Sequence, residues 1–232
     1  MSVAENARQV LENVAEAARN AGRDPSEVTL VAASKMNSAE AVIEAKKAGI
    51  CVFGENKVQE LLEKQSLGAY EGAKVHLIGH LQKNKVRQIV GKCDLIQSVD
   101  SAELLMLISR KAESLGICQD VLIEINIGGE ESKTGAKPEM LEEILVSAGS
   151  CPGIRVLGLM AIPPSIEKNT EKINFFEKMN RLFVDIGKKK YDNVTMCILS
   201  MGMSADFEQA IAAGATMVRV GTSIFGYRDY MK

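Results

Sequence analysis

Apolar, β-rich runs recur along the whole chain and alternate with segments of helical spacing. The runs that predict strands are Val28–Ala33, Cys51–Phe53, Lys74–Ile78, Asp94–Ser98, Asp120–Ile127, Ile154–Leu159, Val194–Leu199 and Thr216–Val220. Nearly continuous apolar strands are typical of parallel sheets covered by helices. Eight of them over 232 residues predict an α/β fold, a (β/α)8 TIM barrel. A doubly wound open sheet is the alternative.

Segments of helical spacing fill the gaps between these runs. Ser38 and Gly49 have the residue types of an N-cap and a C-cap for one helix. Ser2 with Glu5 forms a capping box that opens an additional N-terminal helix. Other predicted helices are Lys83–Val90, Ala102–Leu115, Pro138–Ala148, Thr170–Gly187 and Ala205–Ala213. Since no linker or low-complexity stretch divides the chain, residues 1–232 are expected to form a single barrel domain.

Composition and charge narrow the function classes. With 46% hydrophobic and 25% charged residues, the chain can bury a sizeable core. A net charge of −2 leaves no positive surplus for a phosphodiester backbone, so no nucleic-acid partner is expected. No apolar run approaches the roughly 20 residues that cross a bilayer, and the N-terminus does not resemble a secretory signal. We therefore expect a cytoplasmic location and no membrane association.

Cysteine and histidine usage argues against disulfides and metals. The five cysteines are Cys51, Cys93, Cys118, Cys151 and Cys197. Their odd number and the absence of a CxxC pair do not fit a disulfide framework. The two histidines, His76 and His80, belong to no cluster with ligand spacing, so we expect no metal site.

The barrel interpretation places a site at the carboxyl ends of the strands, with phosphate often held after strands seven and eight. Polar or reactive residues follow almost every predicted strand. In chain order they are Lys35, Gly54-Glu55-Asn56, Gly79-His80, Asn126, Met160, Ser200 with Ser204, and Arg219 with Gly221-Thr222. The hydroxyls, glycines and backbone amides of the last two groups suit a phosphate.

Two basic residues carry the sharpest hypotheses. Arg219 ends a run that should be buried, where a cation needs a partner. It serves either a structural ion pair or a ligand's ring nitrogen or phosphate, and the adjacent Gly221-Thr222 favours the ligand. Lys35 is either a surface lysine or, if partly buried, a nucleophilic amine able to form a Schiff base.

The remaining candidates carry weaker signals. Asn56 suits a helix N-cap that also contacts a ligand. Met160 and Met201 are placed to pack on a flat ring, and His80 to face the pocket. Lys133 fits a solvated loop as well as a ligand contact. Glu55 is expected to be a structural hydrogen-bonding group.

Together these segments resemble a known family. The matching motifs are Phe53-Gly54-Glu55-Asn56, residues 76–85 (HLIGHLQKNK), Ile96-Gln97-Ser98-Val99-Asp100, Gly158-Leu159-Met160, residues 199–206 (LSMGMSAD) and residues 218–226 (VRVGTSIFG), together with Lys35 after an apolar strand. The whole chain resembles the pyridoxal-phosphate homeostasis proteins, single-domain relatives of the barrel domain of alanine racemase. Gln97 stands where relatives often carry histidine, and Lys57 where an aromatic residue or arginine is common.

The resemblance implies pyridoxal 5′-phosphate (PLP), bound as an internal aldimine on Lys35. Ser204, Gly221 and Thr222 would hold its phosphate, and Arg219 would face the pyridine nitrogen. The residues expected to line the ring are Asn56 and Met201, with Ser200 nearby.

The same resemblance bears on activity. An arginine beside the pyridine nitrogen disfavours its protonation and weakens carbanion chemistry. Alanine racemase also uses a tyrosine base from another domain, whereas none of the four tyrosines ends a predicted strand. They are Tyr70, Tyr191, Tyr227 and Tyr230. The resemblance therefore implies a carrier that stores or delivers PLP, with no catalytic residue assigned and at most weak side activity.

Two alternatives remain open, a PLP-dependent amino-acid racemase and a cofactor-free Schiff-base aldolase. The expected partners are PLP itself and PLP-dependent apo-enzymes, and the expected state is a monomer.

Overall fold

A computed structural model describes residues 2–129, 134–163 and 169–226, without the side chains of residues 169–172. Lys133, Tyr227 and Tyr230 lie outside the described residues. Eight parallel strands close into a barrel in chain order, with the first strand paired to the eighth. They are β1 (Thr29–Ala33), β2 (Val52–Glu55), β3 (Lys74–Leu77), β4 (Leu95–Val99), β5 (Gln119–Glu124), β6 (Ile154–Met160), β7 (Val194–Met203) and β8 (Met217–Val220). The predicted barrel is confirmed, and the open-sheet alternative is wrong.

Helices surround the barrel within the described ranges. They are α1 (Val3–Asn20), α2 (Ala39–Lys47), α3 (Val58–Ser66), α4 (Val86–Ile89), α5 (Ala102–Ser114), α6 (Leu141–Ala148), α7 (Asn169–Gly187), α8 (Phe207–Ala212) and α9 (Thr222–Phe225). Short 3-10 turns cover Pro25–Glu27, Lys83–Lys85 and Pro138–Met140. None of the helices in these ranges has the length and apolarity that crossing a membrane requires.

The predicted N-terminal helix is confirmed together with its capping box. The Ser2 hydroxyl accepts from the Glu5 amide at 3.2 Å, and the Glu5 carboxylate accepts from the Ser2 amide at 2.8 Å. Helix α1 packs against α2, α8 and α9. The Asn6 side chain donates to the Ile224 carbonyl at 3.1 Å, which fastens α1 to the short helix after β8.

Helix ends agree with the capping signals at α2. Ser38 is its N-cap and accepts from the Ala41 amide at 3.3 Å. Ala48 is the C-cap, and Gly49 follows it at φ +110°, the left-handed region that favours glycine. The helix predicted over Lys83–Val90 is instead a 3-10 turn followed by the four-residue α4.

Two of the strand ends that differ from the prediction, those of β5 and β7, affect the site. Strand β5 ends at Glu124, three residues before the predicted end. Strand β7 continues to Met203, because Ser200 and Met203 pair with Met217 and Arg219 of β8. Ser200 and Met201 therefore lie within a strand rather than in the loop after it.

The barrel has two apolar clusters, because successive strand residues point to opposite faces. The outer cluster packs the strands against the helices. The inner cluster fills the barrel with Val31, Ala33, Ile78, Leu95, Leu122, Met160 and Met217. Following that alternation along each strand places His76, Gln97, Glu124, Ser200 and Arg219 on the inner face, and all five are buried. Polar groups in such surroundings need hydrogen-bond partners.

Gly158 of β6 offers a direct test of barrel closure. Its φ is +151°, and a Cβ at this position would lie 1.8 Å from the Ile198 carbonyl oxygen of β7. We expect Gly158→Ala to lower the free energy of unfolding by about 3 kcal/mol or more through strain and overpacking. Gly187→Ala is the control, since its Cβ would make an ordinary 3.5 Å contact. Denaturant unfolding of both variants measures the difference, and equal stabilities would contradict the packing described.

Candidate functional site

A chain of hydrogen-bonded side chains runs through the barrel interior to Arg219. Arg219 Nη1 donates to Ser200 Oγ at 2.6 Å, and Ser200 Oγ donates to Gln97 Oε1 at 2.7 Å. Gln97 Nε2 lies 3.0 Å from His76 Nδ1. Burial lowers the pKa of His76 to about 4, so its ring is neutral at pH 7 and Nδ1 accepts from the amide. This series of hydrogen bonds fixes the orientation of the Arg219 guanidinium from inside the barrel.

Arg219 is a buried cation with neutral partners. Besides Ser200, its guanidinium donates from Nη2 to the Ala161 carbonyl at 2.9 Å. Burial lowers the pKa of Arg219 to about 10, while the carboxylates of Glu124 and Asp206 oppose that shift. The group stays charged at neutral pH. Within the part of the chain that the structure describes, two of its five N–H donors make these bonds, so the guanidinium can serve a further acceptor.

Glu124 is a site residue that the sequence prediction missed. It ends β5 and is buried; its Oε1 accepts from the Thr134 hydroxyl at 2.7 Å, while its Oε2 has no hydrogen-bond partner in the described structure. Burial raises its pKa, and Arg219 and His80 act in the opposite direction. The missed signal was the strand end, since the prediction continued β5 past this residue.

Lys35 lies two residues after the end of β1, in a tight turn. The Asn37 amide donates to the Ser34 carbonyl at 3.1 Å, so Lys35 and Met36 are the two central residues. Ala33, two residues earlier, belongs to the inner cluster. The turn thus lies at the carboxyl end of the barrel, the end at which such folds carry their active sites. This end is the mouth of the barrel.

Ser204 and Gly221 come together, as predicted for neighbouring parts of one site. The Gly221 amide donates to Ser204 Oγ at 3.1 Å. Gly221 also passes close to β1, since a Cβ there would lie 3.2 Å from the Ala33 carbonyl oxygen. Thr222 opens α9, and first-turn amides have no acceptor within their own helix. This corner therefore joins the ends of β1, β7 and β8.

Two residues expected to line the ring differ from expectation in other respects: Asn56 in its capping role and Met201 in the direction of its side chain. Asn56 follows β2 next to the end of β3, because a Cβ on Gly79 would lie 2.4 Å from its carbonyl oxygen. The N-cap of α3 is Lys57 rather than Asn56, and no side chain caps that helix. Met201 is fully buried in the outer cluster. The expectation that its side chain packs on a ring is corrected, since the inward residue of β7 is Ser200.

Behind the Lys35 turn, Glu55 is a structural acceptor, as expected. Its Oε1 accepts from Ser34 Oγ at 2.6 Å, from Lys64 Nζ at 2.8 Å and from the Tyr70 hydroxyl at 2.8 Å. Burial raises the pKa of Glu55, and the Lys64 ammonium opposes that shift. Burial and the nearby Glu55 raise the pKa of Tyr70 as well.

Other cavities and groups contribute less. A cavity of about 970 Å³ lies at the opposite end of the barrel, against strand starts such as Thr29 and Lys74, and contains none of the predicted site residues. At the mouth, His80 is half-exposed with Nδ1 3.6 Å from Asp100 Oδ2. Within the described residues, no three His, Cys, Asp or Glu side chains are grouped as a metal ion requires.

Comparison with known proteins places this chain in a family. Residues 6–229 match the family model described as "Alanine racemase, N-terminal domain". Proteins named "Pyridoxal phosphate homeostasis protein" from Aquifex aeolicus and Pseudomonas aeruginosa are 43% and 39% identical over 230 and 229 residues. The alignments cover 99% of this chain and 100% and 97% of those proteins.

A solved structure agrees with the sequence comparison. The Synechococcus elongatus protein PipY, solved with PLP bound, superposes with a TM-score of 0.81 at 34% identity, covering 92% of this chain and 100% of that one. The fold is that of an alanine racemase N-terminal domain barrel. Within that class, the chain belongs to the family of pyridoxal phosphate homeostasis proteins.

Proposed function

We propose that this protein binds PLP at the carboxyl end of its barrel, holds it on Lys35, and stores or delivers it as a carrier. The observation that carries the proposal is the buried Arg219, oriented from below by Ser200 and left with donors to spare. The family relatives support it by name, and PipY supports it by its bound PLP.

The residues of the mouth fit the three ends of this cofactor. PLP supplies an aldehyde that condenses with a primary amine, releasing the aldehyde oxygen as water and leaving a C=N bond. The Lys35 amine is the nucleophile, in a turn that follows an inward-facing strand residue. Arg219 would face the ring nitrogen, with Ser200 nearby as its hydrogen-bond acceptor. Asn56 contributes from the β2 loop, and Met201 through its main chain only.

The cofactor's phosphate would bind at the corner where β7 and β8 end. Ser204 Oγ already accepts from the Gly221 amide, so its own proton is left to donate to a phosphate oxygen. The Thr222 amide at the start of α9 adds a second donor. Charge-assisted bonds of this kind are the strong ones in a protein site.

Arg219 makes the site a weak catalyst of carbanion chemistry. A fixed cation beside the pyridine nitrogen disfavours protonation there, because two adjacent positive charges repel. The described tyrosines lie away from the mouth, with Tyr70 bonded to Glu55 and Tyr191 bonded to Glu142 at 3.0 Å. Neither can act as the second base of a racemase.

The physiological setting is part of the same proposal. The carrier works in the cytoplasm as a monomer and exchanges PLP with PLP-dependent apo-enzymes. It uses neither nucleic acid nor a membrane surface. The chain's net charge of −2 supports the absence of a nucleic-acid partner.

We expect negligible turnover of alanine and other amino acids by the PLP-loaded protein. A racemase or decarboxylase assay on purified holoprotein measures it. The acid–base candidates at the mouth are His80 with Asp100, and Glu124. Turnover of about 1 per second, a modest rate for an enzyme, would overturn the carrier assignment in favour of the racemase.

The spectrum of the purified protein separates the carrier from the aldolase. A yellow protein that gains colour with added PLP supports the carrier. A colourless protein that stays unmodified by PLP, yet is inactivated by borohydride in the presence of a sugar phosphate, would support the cofactor-free aldolase.

A further inference from the structure

A buried lysine behind the barrel wall holds the peptide that leads into Lys35. Lys64 of α3 has a side chain only 6% exposed, and its ammonium has three acceptors. They are the Ser34 carbonyl at 2.8 Å, Glu55 Oε1 at 2.8 Å and Glu60 Oε1 at 2.9 Å. These use all three of its donors. The Ser34 carbonyl belongs to the peptide bond that joins Ser34 to Lys35.

The other side of Lys35 is held from the same helix. The Met36 amide donates to Glu60 Oε1, the same oxygen that accepts from Lys64. The Ser34 amide in turn donates to the Gly54 carbonyl at 3.0 Å. One i,i+4 pair on α3 therefore fixes the peptides before and after Lys35.

The turn needs such support because of its backbone conformation. Met36 is the third residue of the turn and has φ +62°, a value that type II turns require and glycine ordinarily supplies. Met36 is also 65% exposed, so packing of its side chain does little to hold it. A non-glycine residue in this region persists when its surroundings over-determine it.

We propose that the Glu55–Glu60–Lys64 cluster is a positioning device that sets the Lys35 amine for covalent capture of PLP. The inference rests on the proposed role of Lys35. The cluster lies in the layer between barrel and helices and touches Lys35 only through the neighbouring peptides. Its members are positioning residues, and they should affect the covalent step more than non-covalent docking of the ring and phosphate.

Glu60 is the best position for a test, because its side chain is 18% exposed and its loss leaves the buried Lys64–Glu55 pair intact. Glu60→Ala removes the acceptor for both Lys64 and Met36. Glu60→Gln keeps an oxygen acceptor and should preserve the hydrogen bonds from Lys64 and Met36. Glu63→Ala, on an exposed position of the same helix, is the matched control for lost charge and helix composition.

Two ligands separate positioning from docking. PLP reports covalent capture and release through its visible absorbance. Pyridoxine 5′-phosphate carries an alcohol in place of the aldehyde and reports docking alone. We expect Glu60→Ala to slow capture about ten- to hundredfold, the size of effect that a small misplacement causes. Its affinity for pyridoxine 5′-phosphate should change less than about twofold, and Glu60→Gln and Glu63→Ala should match the wild type.

The remaining outcomes are also decisive. Equal losses for both ligands would show that Glu60 supports the whole mouth, and unchanged capture would show that the cluster does not position Lys35. Either overturns this inference while wild-type capture upholds the carrier. A wild-type protein that never captures PLP overturns both. Lys64→Met is the second variant, assayed where circular dichroism shows it folded, and it should slow capture at least as much as Glu60→Ala.

Discussion

Lys35→Ala is expected to abolish the visible absorbance of the PLP-loaded protein and all borohydride-stable attachment of the cofactor. The amine is the only group that the account assigns to the covalent bond, so its removal leaves docking through Arg219 and the phosphate corner. The barrel should remain folded, because the lysine side chain belongs to neither apolar cluster. Absorbance spectra and thermal melts of the two proteins measure these two outcomes.

Lys57→Ala is the matched control for this prediction. Lys57 also follows a strand end, one residue beyond Asn56, and is exposed. It should keep the full absorbance. A Lys35→Ala protein that retained the colour and trapped PLP on reduction would show that another amine carries the cofactor.

Removing the phosphate from the ligand is expected to weaken binding by about two orders of magnitude or more. Hydrogen bonds to charged groups contribute roughly 1.5–3 kcal/mol each, and the proposed site would supply at least two, from the Ser204 hydroxyl and the Thr222 amide. At about 1.4 kcal/mol per tenfold, their loss gives an effect of that size. Fluorescence or calorimetric titration with PLP and with pyridoxal measures the two affinities.

Ser204→Ala refines this second prediction. It should weaken PLP binding and hardly change pyridoxal binding. Ser114→Ala is the control, since Ser114 ends α5 and its exposed hydroxyl donates to the Lys111 carbonyl at 2.7 Å. If Ser204→Ala weakens both ligands equally, the serine supports the fold by receiving the Gly221 amide and does not grip the phosphate.

The barrel fold and the end of the barrel at which the candidate site lies are both predictable from the sequence. Each strand is an apolar run that propensity alone identifies, and the alternation with helices leaves few topologies. The hydrogen-bonded state of Arg219 is also predictable, since a lone cation inside a buried apolar strand needs acceptors. The sequence also places Ser200 near the ring. It does not predict that hydrogen bonds connect Ser200 through Gln97 to His76.

The rest depended on strand ends and on distant pairings. Side chains of a strand point alternately to its two faces, so the direction of a side chain can be predicted only if the residue is known to lie within the strand. The predicted end of β7 leaves Met201 in a loop, and the prediction therefore places its side chain in the pocket, whereas the side chain faces the outer cluster. Glu124 was passed over because β5 was extended beyond it. The Lys64–Ser34 bond joins residues 30 positions apart, and no local pattern marks it.

The central claim is that PLP is held on Lys35 of this chain. Borohydride reduction of the PLP-loaded protein, followed by digestion and peptide mass spectrometry, tests it most directly. We expect a single reduced pyridoxyl-phosphate adduct on Lys35, in near-stoichiometric yield. An unlabelled Lys35 peptide, with the adduct on another lysine or spread over several, would contradict it.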